Sequence, residues 1–214
     1  MPFILNHHNS LANQFLSELR NKSLQQDRFR FRKNMERLGE LMAYEVSKKL
    51  KYTEQAVQTP LGISNLQVLS DQPVLISVLR AGLPYFQGFQ QFFDQADCGF
   101  IGAYRKEGTD DIKINLDYLT TPNLEGKQLI IIDPMLATGK SFVKSILTLL
   151  QHGMPAHVHI AALVAAPEGL KFIEDNLKVP HSVWTWAVDE KLNDQFYIVP
   201  GLGDAGDLSY GEKV

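Results

Sequence analysis

The fold is decided by one stretch near the middle of the chain, Leu129-Ile130-Ile131-Ile132-Asp133-Pro134-Met135-Leu136-Ala137-Thr138-Gly139-Lys140-Ser141. Its consecutive apolar residues predict a buried β-strand, and helical spacing resumes after Gly139. Backbone N–H groups at the start of a helix lack internal partners and favour an anion. Thr138 and Ser141 add hydroxyl donors, and the glycine lets the backbone approach phosphate oxygens closely. The stretch therefore predicts a phosphate site at a helix start.

The end of this stretch, Gly139-Lys140-Ser141, matches the last three positions of a Walker A loop. That loop needs its first glycine at position 134, where this chain has Pro134, which lacks both an N–H and glycine's backbone freedom. Asp133 at the strand end is also unfavourable beside a triphosphate. A carboxylate there suits two ribose hydroxyls, while the following loop holds a 5′-phosphate. The loop therefore favours a ribose phosphate.

Strand-like and helix-like segments alternate on both sides of the loop. Apolar runs predict further strands at residues 74–79, 100–104, 157–164 and 183–188. Such strands, separated by helices, indicate an α/β fold with a parallel sheet covered on both faces and ligands at the carboxyl ends of the strands. Residues 10–52 show helical spacing, with Ser23 or Asp27 as the cap. A polar stretch at residues 107–126 predicts a hairpin or lid.

The composition is that of one globular domain of 214 residues, with 44% hydrophobic and 21% charged residues. We divide it into N-terminal helices at about residues 10–52, a core at about 68–190 and a glycine-rich tail at about 191–214. The net charge of −3 argues against a nucleic-acid partner. No apolar run approaches the roughly 18 residues of a membrane span. The single cysteine, Cys98, suits a reducing cytoplasm.

Four motifs, in order along the chain, resemble those of the uracil phosphoribosyltransferase family. They are Leu79-Arg80-Ala81-Gly82-Leu83, Tyr104-Arg105, the loop at residues 133–141 with Val164-Ala165-Ala166-Pro167-Glu168-Gly169, and the tail from Ile198 to Asp207. The N-terminal pairs Leu19-Arg20, Phe31-Arg32 and Tyr44-Glu45 are similar as well. The resemblance implies a type I phosphoribosyltransferase-like parallel sheet flanked by helices, with an N-terminal helical segment and a C-terminal glycine-rich hood.

The resemblance also implies the reaction, which is transfer of the 5-phosphoribosyl group from phosphoribosyl pyrophosphate (PRPP) to N1 of uracil, giving UMP and pyrophosphate in pyrimidine salvage. The implied catalytic residues are Arg80, Arg105, Asp133 and Asp204. These four would also bind PRPP, together with Pro134, Met135, Leu136, Ala137, Thr138, Gly139, Lys140 and Ser141. The resemblance also implies uracil contacts, largely through backbone groups, at Ile198, Gly203, Asp204 and Ala205. Mg²⁺ is expected mainly on PRPP oxygens, without a dedicated protein ligand.

Other interpretations stay open from the sequence. Two alternatives fit the chain less well than a uracil enzyme does. They are a phosphoribosyltransferase for another base and a non-catalytic or RNA-binding regulator with the same fold. Lys140 stands where the family usually has glycine, and Asp207 is either a site residue or a turn residue. A homodimer or higher homo-oligomer is expected, with the segments around Trp184 and Tyr44 as candidate interfaces. The alternating His157 and His159 are expected to be a strand pair without a metal.

Overall fold

The computed structural model describes residues 1–105 and 114–212, and for residues 103–105 and 114–117 it describes the backbone alone. The strands are β1 Phe3–Ile4, β2 Tyr52–Thr59, β3 Gly62–Leu69, β4 Val74–Leu79, β5 Cys98–Arg105, β6 Ile114–Thr120, β7 Gln128–Ile132, β8 Met135–Leu136, β9 His157–Ala165, β10 His181–Val188, β11 Lys191–Leu192 and β12 Ile198–Val199. The helices are α1 Leu11–Arg20, α2 Arg28–Ser47, α3 Leu83–Gln90, α4 Lys140–Leu149, α5 Pro167–Asn176 and α6 Ala205–Tyr210.

One mainly parallel sheet organises the molecule, in the order β1-β10-β9-β7-β4-β5-β6, with β8 paired to β9. Only the β5–β6 pair is antiparallel among these neighbours. Each strand predicted from an apolar run is present, and the predicted α/β fold class is confirmed. The carboxyl ends of β4, β5, β7, β9 and β10 consequently meet along one edge of the sheet.

Both faces of the sheet are covered because alternate residues of β7 enter different cores. Ile130 and Ile132 pack in the cluster formed with α1, α2 and α3. Leu129 and Ile131 pack in the cluster formed with α4 and α5. All four side chains are fully buried, which explains why residues 129–132 are all apolar.

The N-terminal segment contains two helices with a break between them. Asn21 Oδ1 accepts hydrogen bonds from the backbone of Ser23 and Leu24, which turns the chain after α1. Asp27 caps α2 by accepting a hydrogen bond from Arg30 N at 3.0 Å, so Asp27 fills the predicted cap position at the start of this helix. Helix α2 ends at Ser47, so the helical part of the predicted segment at residues 10–52 is shorter than expected.

A long hairpin, β2–β3, follows α2 and forms a sheet of its own. A turn at residues 59–62 closes it, and Thr59 Oγ1 accepts hydrogen bonds from Leu61 N and Gly62 N. The hairpin itself was not predicted, because the exposed residues on both strands give no alternation between a buried and an exposed face.

Trp184 lies inside the chain. Its ring stacks on Phe3 with centroids 4.0 Å apart, and its indole N–H donates to His159 Nδ1 at 3.2 Å. Trp184 is 2% exposed, so its own side chain is buried within the chain, and the interface expected for the segment around it stays a prediction. Tyr44, in contrast, is 53% exposed.

Across the described ranges, we found no helix with the length and apolar character to span a bilayer.

Candidate active site

The phosphate loop begins where β7 ends. Asp133 Oδ1 accepts a hydrogen bond from Met135 N at 3.1 Å, which bends the chain immediately after the strand. Strand β8 then pairs with the end of β9. Pro134 O accepts hydrogen bonds from Leu163 N and Val164 N, so the loop is fixed to the sheet by its backbone. The predicted strand, loop and helix are all present in order.

Gly139 caps helix α4 in the left-handed conformation, with φ of +74°. A Cβ atom there would lie 2.6 Å from Gly169 O, and a Cβ at Gly169 would collide with Ala137 O. The two glycines therefore let the phosphate loop rest directly on the start of α5. This contact explains why the 164–169 motif accompanies the loop motif in the sequence.

The start of α4 has the features of an anion site. Its first-turn N–H groups have no partners within the helix, and the helix dipole favours negative charge. Lys140 is the first residue of this ten-residue helix, and its backbone N–H donates to Thr138 Oγ1 at 3.4 Å. Thr138, Lys140 and Ser141 are all partly exposed, so a ligand can reach them. The effect of Lys140 on phosphate binding remains a prediction.

The loop after β4 carries the motif Leu79-Arg80-Ala81-Gly82-Leu83, which resembles the pyrophosphate loop of the family and is called the pyrophosphate loop below. A Cβ at Gly82 would lie 2.6 Å from Val78 O, 2.8 Å from Ser77 Oγ and 2.9 Å from Ile132 O, so only glycine fits there without displacement. The Leu79–Arg80 peptide bond is cis. This loop therefore packs tightly against the ends of β4 and β7, next to the start of the phosphate loop.

Arg80 joins this loop to the C-terminal helix. Its Nη2 donates to Asp207 Oδ1 at 2.9 Å and to Gly211 O. Its Nε is buried and has no hydrogen-bond partner among the residues described. A buried, charged donor without a partner among the described residues is suited to an anionic ligand. Asp207, which the sequence left open, is thus a partner of a predicted site residue.

Arg105 is the last residue of β5, and its backbone pairs with Ile114 of β6. Its side chain, like the whole of the adjacent Lys106, lies outside the part of the chain that the structure describes. The predicted lid at residues 107–126 falls partly there too, and β6 with the turn after it accounts for the rest. The roles of Arg105 and of the lid stay predictions.

The glycine-rich tail lies against Arg80. Asp204 caps α6 and accepts a hydrogen bond from Asp207 N at 2.9 Å. A Cβ placed on Gly206 would be 3.1 Å from Asp204 Oδ1 and 3.8 Å from Arg80 Nε. The structure therefore brings the predicted base-binding tail and the pyrophosphate loop together. Ile198 and Ala205 are buried, whereas Gly203 is exposed with φ of +93°.

Several residues that hold this tail were not predicted as site residues. Arg20, at the end of α1, pairs with Asp189 through two hydrogen bonds of 2.8 and 2.7 Å. Gln25 Nε2 donates to Leu202 O at 2.9 Å, and Arg32 Nη1 donates to Ser209 O at 2.7 Å. Arg20 and Arg32 belong to the N-terminal pairs that resemble the family, and that resemblance was the available signal.

The histidine pair lies at the amino ends of the strands, opposite the site. His159 Nδ1 accepts from Trp184 Nε1, so Nε2 carries the proton and donates to Gln128 Oε1 at 3.2 Å. Burial, with a smaller contribution from His157, lowers the pKa of His159 to about 3. Within residues 1–105 and 114–212, no group of three His, Cys, Asp or Glu side chains forms a metal site.

The mainly parallel sheet, the strand–loop–helix unit that turns at Asp133 and the second loop that carries Arg80 together give the fold of a type I phosphoribosyltransferase. The sequence model of the uracil phosphoribosyltransferase family matches residues 6–211, and the chain belongs to that family. A uracil phosphoribosyltransferase of Porphyromonas gingivalis is 45% identical over 206 residues, covering 96% of this chain and 95% of the relative. One from Methanothermobacter thermautotrophicus is 40% identical over 183 residues, covering 85% and 83%.

A solved structure agrees over the whole length. The structure of an Aquifex aeolicus protein is 34% identical, covers 100% of both chains and superposes with a TM-score of 0.88. The predicted family is confirmed by the family model and the curated relatives, and the likeness to this solved structure extends over the whole chain.

Proposed function

We propose that this protein transfers the 5-phosphoribosyl group of PRPP to N1 of uracil, producing UMP and pyrophosphate for pyrimidine salvage. The observation that carries the proposal is the junction of the tail with the pyrophosphate loop, through Arg80, Asp207 and Asp204. This junction puts the proposed base site beside the proposed leaving-group site, and both lie at the sheet edge where the phosphate loop begins.

The phosphoribosyl group would be held by the loop at residues 133–141. Asp133 stands at the strand end, where its carboxylate suits the two ribose hydroxyls. The 5′-phosphate would accept hydrogen bonds from the N–H groups at the start of α4, assisted by Thr138 and Ser141. Positioning of this kind lowers the entropic part of the barrier because the reacting carbon is already placed before the base attacks.

Uracil would be recognised by the backbone around Ile198 and residues 203–205. Backbone donors and acceptors in the plane of the ring can pair with N3–H and O4. Cytosine presents an acceptor at N3 and an amino donor at C4, so it would leave buried groups unpaired and be rejected. Glycines in the tail let the bare chain lie along the edge of the base.

In the reaction, the bond from uracil N1 to ribose C1 forms, the bond from C1 to the pyrophosphate oxygen breaks, and the N1 proton is lost to solvent. Negative charge grows on the departing pyrophosphate. Arg80, and Arg105 by family resemblance, would stabilise that charge. Asp204 would lie near the ribose and the metal-bound pyrophosphate. Catalysis would therefore depend on positioning of the substrates and on electrostatic stabilisation of the leaving group.

Mg²⁺ is part of this proposal. Arg80 Nε is a buried donor suited to the phosphate oxygens of PRPP. Mg²⁺ would be held by other PRPP oxygens and by water, which are the ligands it prefers. Bound there, Mg²⁺ would neutralise charge on the pyrophosphate. The protein residues would orient the complex.

We also propose that the protein is a cytoplasmic homodimer or higher homo-oligomer. The β2–β3 hairpin carries apolar side chains with no cover, since Leu61 is 99%, Ile63 72% and Leu66 51% exposed. Exposed apolar side chains of this kind are costly in water and favour burial against a second copy. Cys98 is a free thiol, and reducing conditions would keep it so.

The function is tested by incubating the protein with radiolabelled uracil, PRPP and Mg²⁺, and by identifying the product chromatographically. We expect labelled UMP in proportion to the enzyme, and Asp204→Ala is expected to lower turnover at least about 100-fold while the protein stays folded. Asp194→Ala, which changes an exposed residue of the preceding loop, is the control. No UMP from the wild-type protein, alongside turnover of another base, would overturn the proposal.

A further inference from the structure

The tail that is proposed to recognise uracil is held at Gly201 by two distant parts of the chain. Gly201 N donates to Asp189 Oδ2 at 2.8 Å, and Gly201 O accepts from Arg20 Nη1 at 3.0 Å. Both backbone groups of one residue are therefore bound by an ion pair. We propose that Arg20 and Asp189, here called the tail clamp, are positioning residues that set the geometry of the base site. The proposal rests on the proposed function.

The clamp is anchored at both ends. Asp189 follows β10 directly, and its backbone N–H donates to Ala165 O at 2.9 Å, so its position is fixed by the sheet. Arg20 ends α1, where a cation is favoured by the helix dipole. The side chains are 22% and 6% exposed, respectively, so water screens the pair weakly. The clamp thus connects the N-terminal helices to the core through the tail.

Gly201 transmits this position to the residues proposed to contact uracil. Its φ is +59°, and a Cβ there would collide with Ile198 O, so the chain is tightly turned between residues 198 and 201. Gln25 holds the next residue by donating to Leu202 O at 2.9 Å. Gly203 follows the held segment directly, and Ile198 lies three residues before Gly201. A displacement of Gly201 would therefore move base contacts on both sides of it.

A second ion pair of the same helix provides a matched control. Arg30 also donates two hydrogen bonds of 2.8 Å to one carboxylate, that of Glu18 on α1. Neither Arg30 nor Glu18 bonds to the tail in any described contact. Substituting lysine for either arginine removes a bidentate contact, because an ammonium group cannot reproduce the planar fork. Both variants therefore lose a bidentate contact, and only Arg20→Lys also disturbs a hydrogen bond to the tail.

Steady-state kinetics of Arg20→Lys and Arg30→Lys test the clamp. We expect Arg20→Lys to raise KM for uracil about tenfold or more, while KM for PRPP changes less than about twofold. Arg20→Gln is expected to raise it further, since the charge is lost too. Arg30→Lys is expected to leave both KM values near those of the wild type. Thermal unfolding verifies that all three variants are folded.

Gln25→Ala leaves the Arg20–Asp189 ion pair intact and is the test variant if the Arg20 variants do not fold. It removes one hydrogen bond to Leu202 O, and we expect KM for uracil to rise about fivefold. Hydrogen exchange gives a readout independent of activity: in Asp189→Asn the Gly201 amide should exchange at least about tenfold faster.

The outcomes separate the two proposals. Arg20→Lys with wild-type KM for uracil, or with an equal rise in KM for both substrates, would overturn the clamp while UMP formation by the wild type stands. A wild-type protein that forms no UMP would overturn the proposed function and the clamp's role with it.

Discussion

Gly139 and Gly126 share a left-handed backbone but differ in their surroundings, with φ of +74° and +69°, respectively. A Cβ at residue 139 would press on Gly169 O, whereas a Cβ at residue 126 meets nothing within 4 Å. We predict that Gly126→Ala costs about 1 kcal/mol of stability and leaves kinetics unchanged. Gly139→Ala should cost at least about 2 kcal/mol and raise KM for PRPP, because the loop must move.

Urea unfolding and steady-state kinetics of both glycine variants check this prediction. Equal losses of stability, with no change in KM for PRPP in either variant, would show that the contact between the phosphate loop and α5 does not shape the site.

Asp207 is a second single residue with a defined task. It accepts a hydrogen bond from Arg80 at 2.9 Å, and the two side chains are 31% and 36% exposed. We predict that Asp207→Asn raises KM for PRPP about fivefold, because Arg80 loses the charged partner that orients it. Asp175→Asn, which weakens an exposed pair with Lys171, is the control. An Asp207→Asn enzyme with unchanged KM for PRPP would contradict this role.

Asp133, Gly139 and Arg80 could be proposed as site residues from the sequence because each lies in a short motif that resembles the family's. It left Asp207 undecided because its partner, Arg80, is 127 positions away. It gave no role to Arg20, whose carboxylate partner Asp189 is 169 positions away. Pairings between distant segments depend on how the helices and the tail pack, and no local spacing encodes them.

At the scale of elements, the β9–β10 junction carries a buried neutral histidine. The pKa of His159 is lowered from 6.5 to about 3, first by burial and then by His157. The unfolded chain therefore binds one more proton than the folded chain between these pH values, so stability falls as pH drops. One such group contributes a slope of up to about 1.4 kcal/mol per pH unit.

We predict that His159→Gln weakens the loss of stability between pH 6.5 and 5. The pKa of Glu18 is lowered from 4.5 to about 2, mainly by its hydrogen bond with Arg30, so its own contribution is lost below that window. Urea unfolding at pH 6.5 and 5 measures the difference, with the exposed His152→Gln as control. Identical pH slopes in wild type and His159→Gln would contradict a buried neutral His159.

The elements that were predicted correctly are those with buried faces. The strand β7 is four apolar residues after one glutamine, and its burial on both faces makes it readable from sequence. The β2–β3 hairpin was missed because its residues are mostly exposed on both faces. Its sequence lacks the alternation that identifies a half-buried strand.

At the scale of the whole molecule, the exposed hairpin bears on assembly. We predict that the wild-type protein runs as at least twice its chain mass of 24.1 kDa in light scattering after size exclusion. Changing Leu61, Ile63 and Leu66 together to serine should shift it toward the monomer. Replacing Leu147, which is 50% exposed on α4, should leave assembly unchanged. A monomeric wild-type protein at micromolar concentration would contradict the proposed oligomer.

The proposed reaction requires that the activated ribose and the base bind next to each other at one edge of the sheet. Its most direct test is kcat/KM of the wild-type enzyme for uracil, cytosine, hypoxanthine and guanine, with saturating PRPP and Mg²⁺. We predict that uracil exceeds every other base by at least about 1000-fold, because the wrong hydrogen-bonding edge leaves buried groups unpaired. A comparable value for cytosine or a purine would contradict the assignment of the tail to uracil.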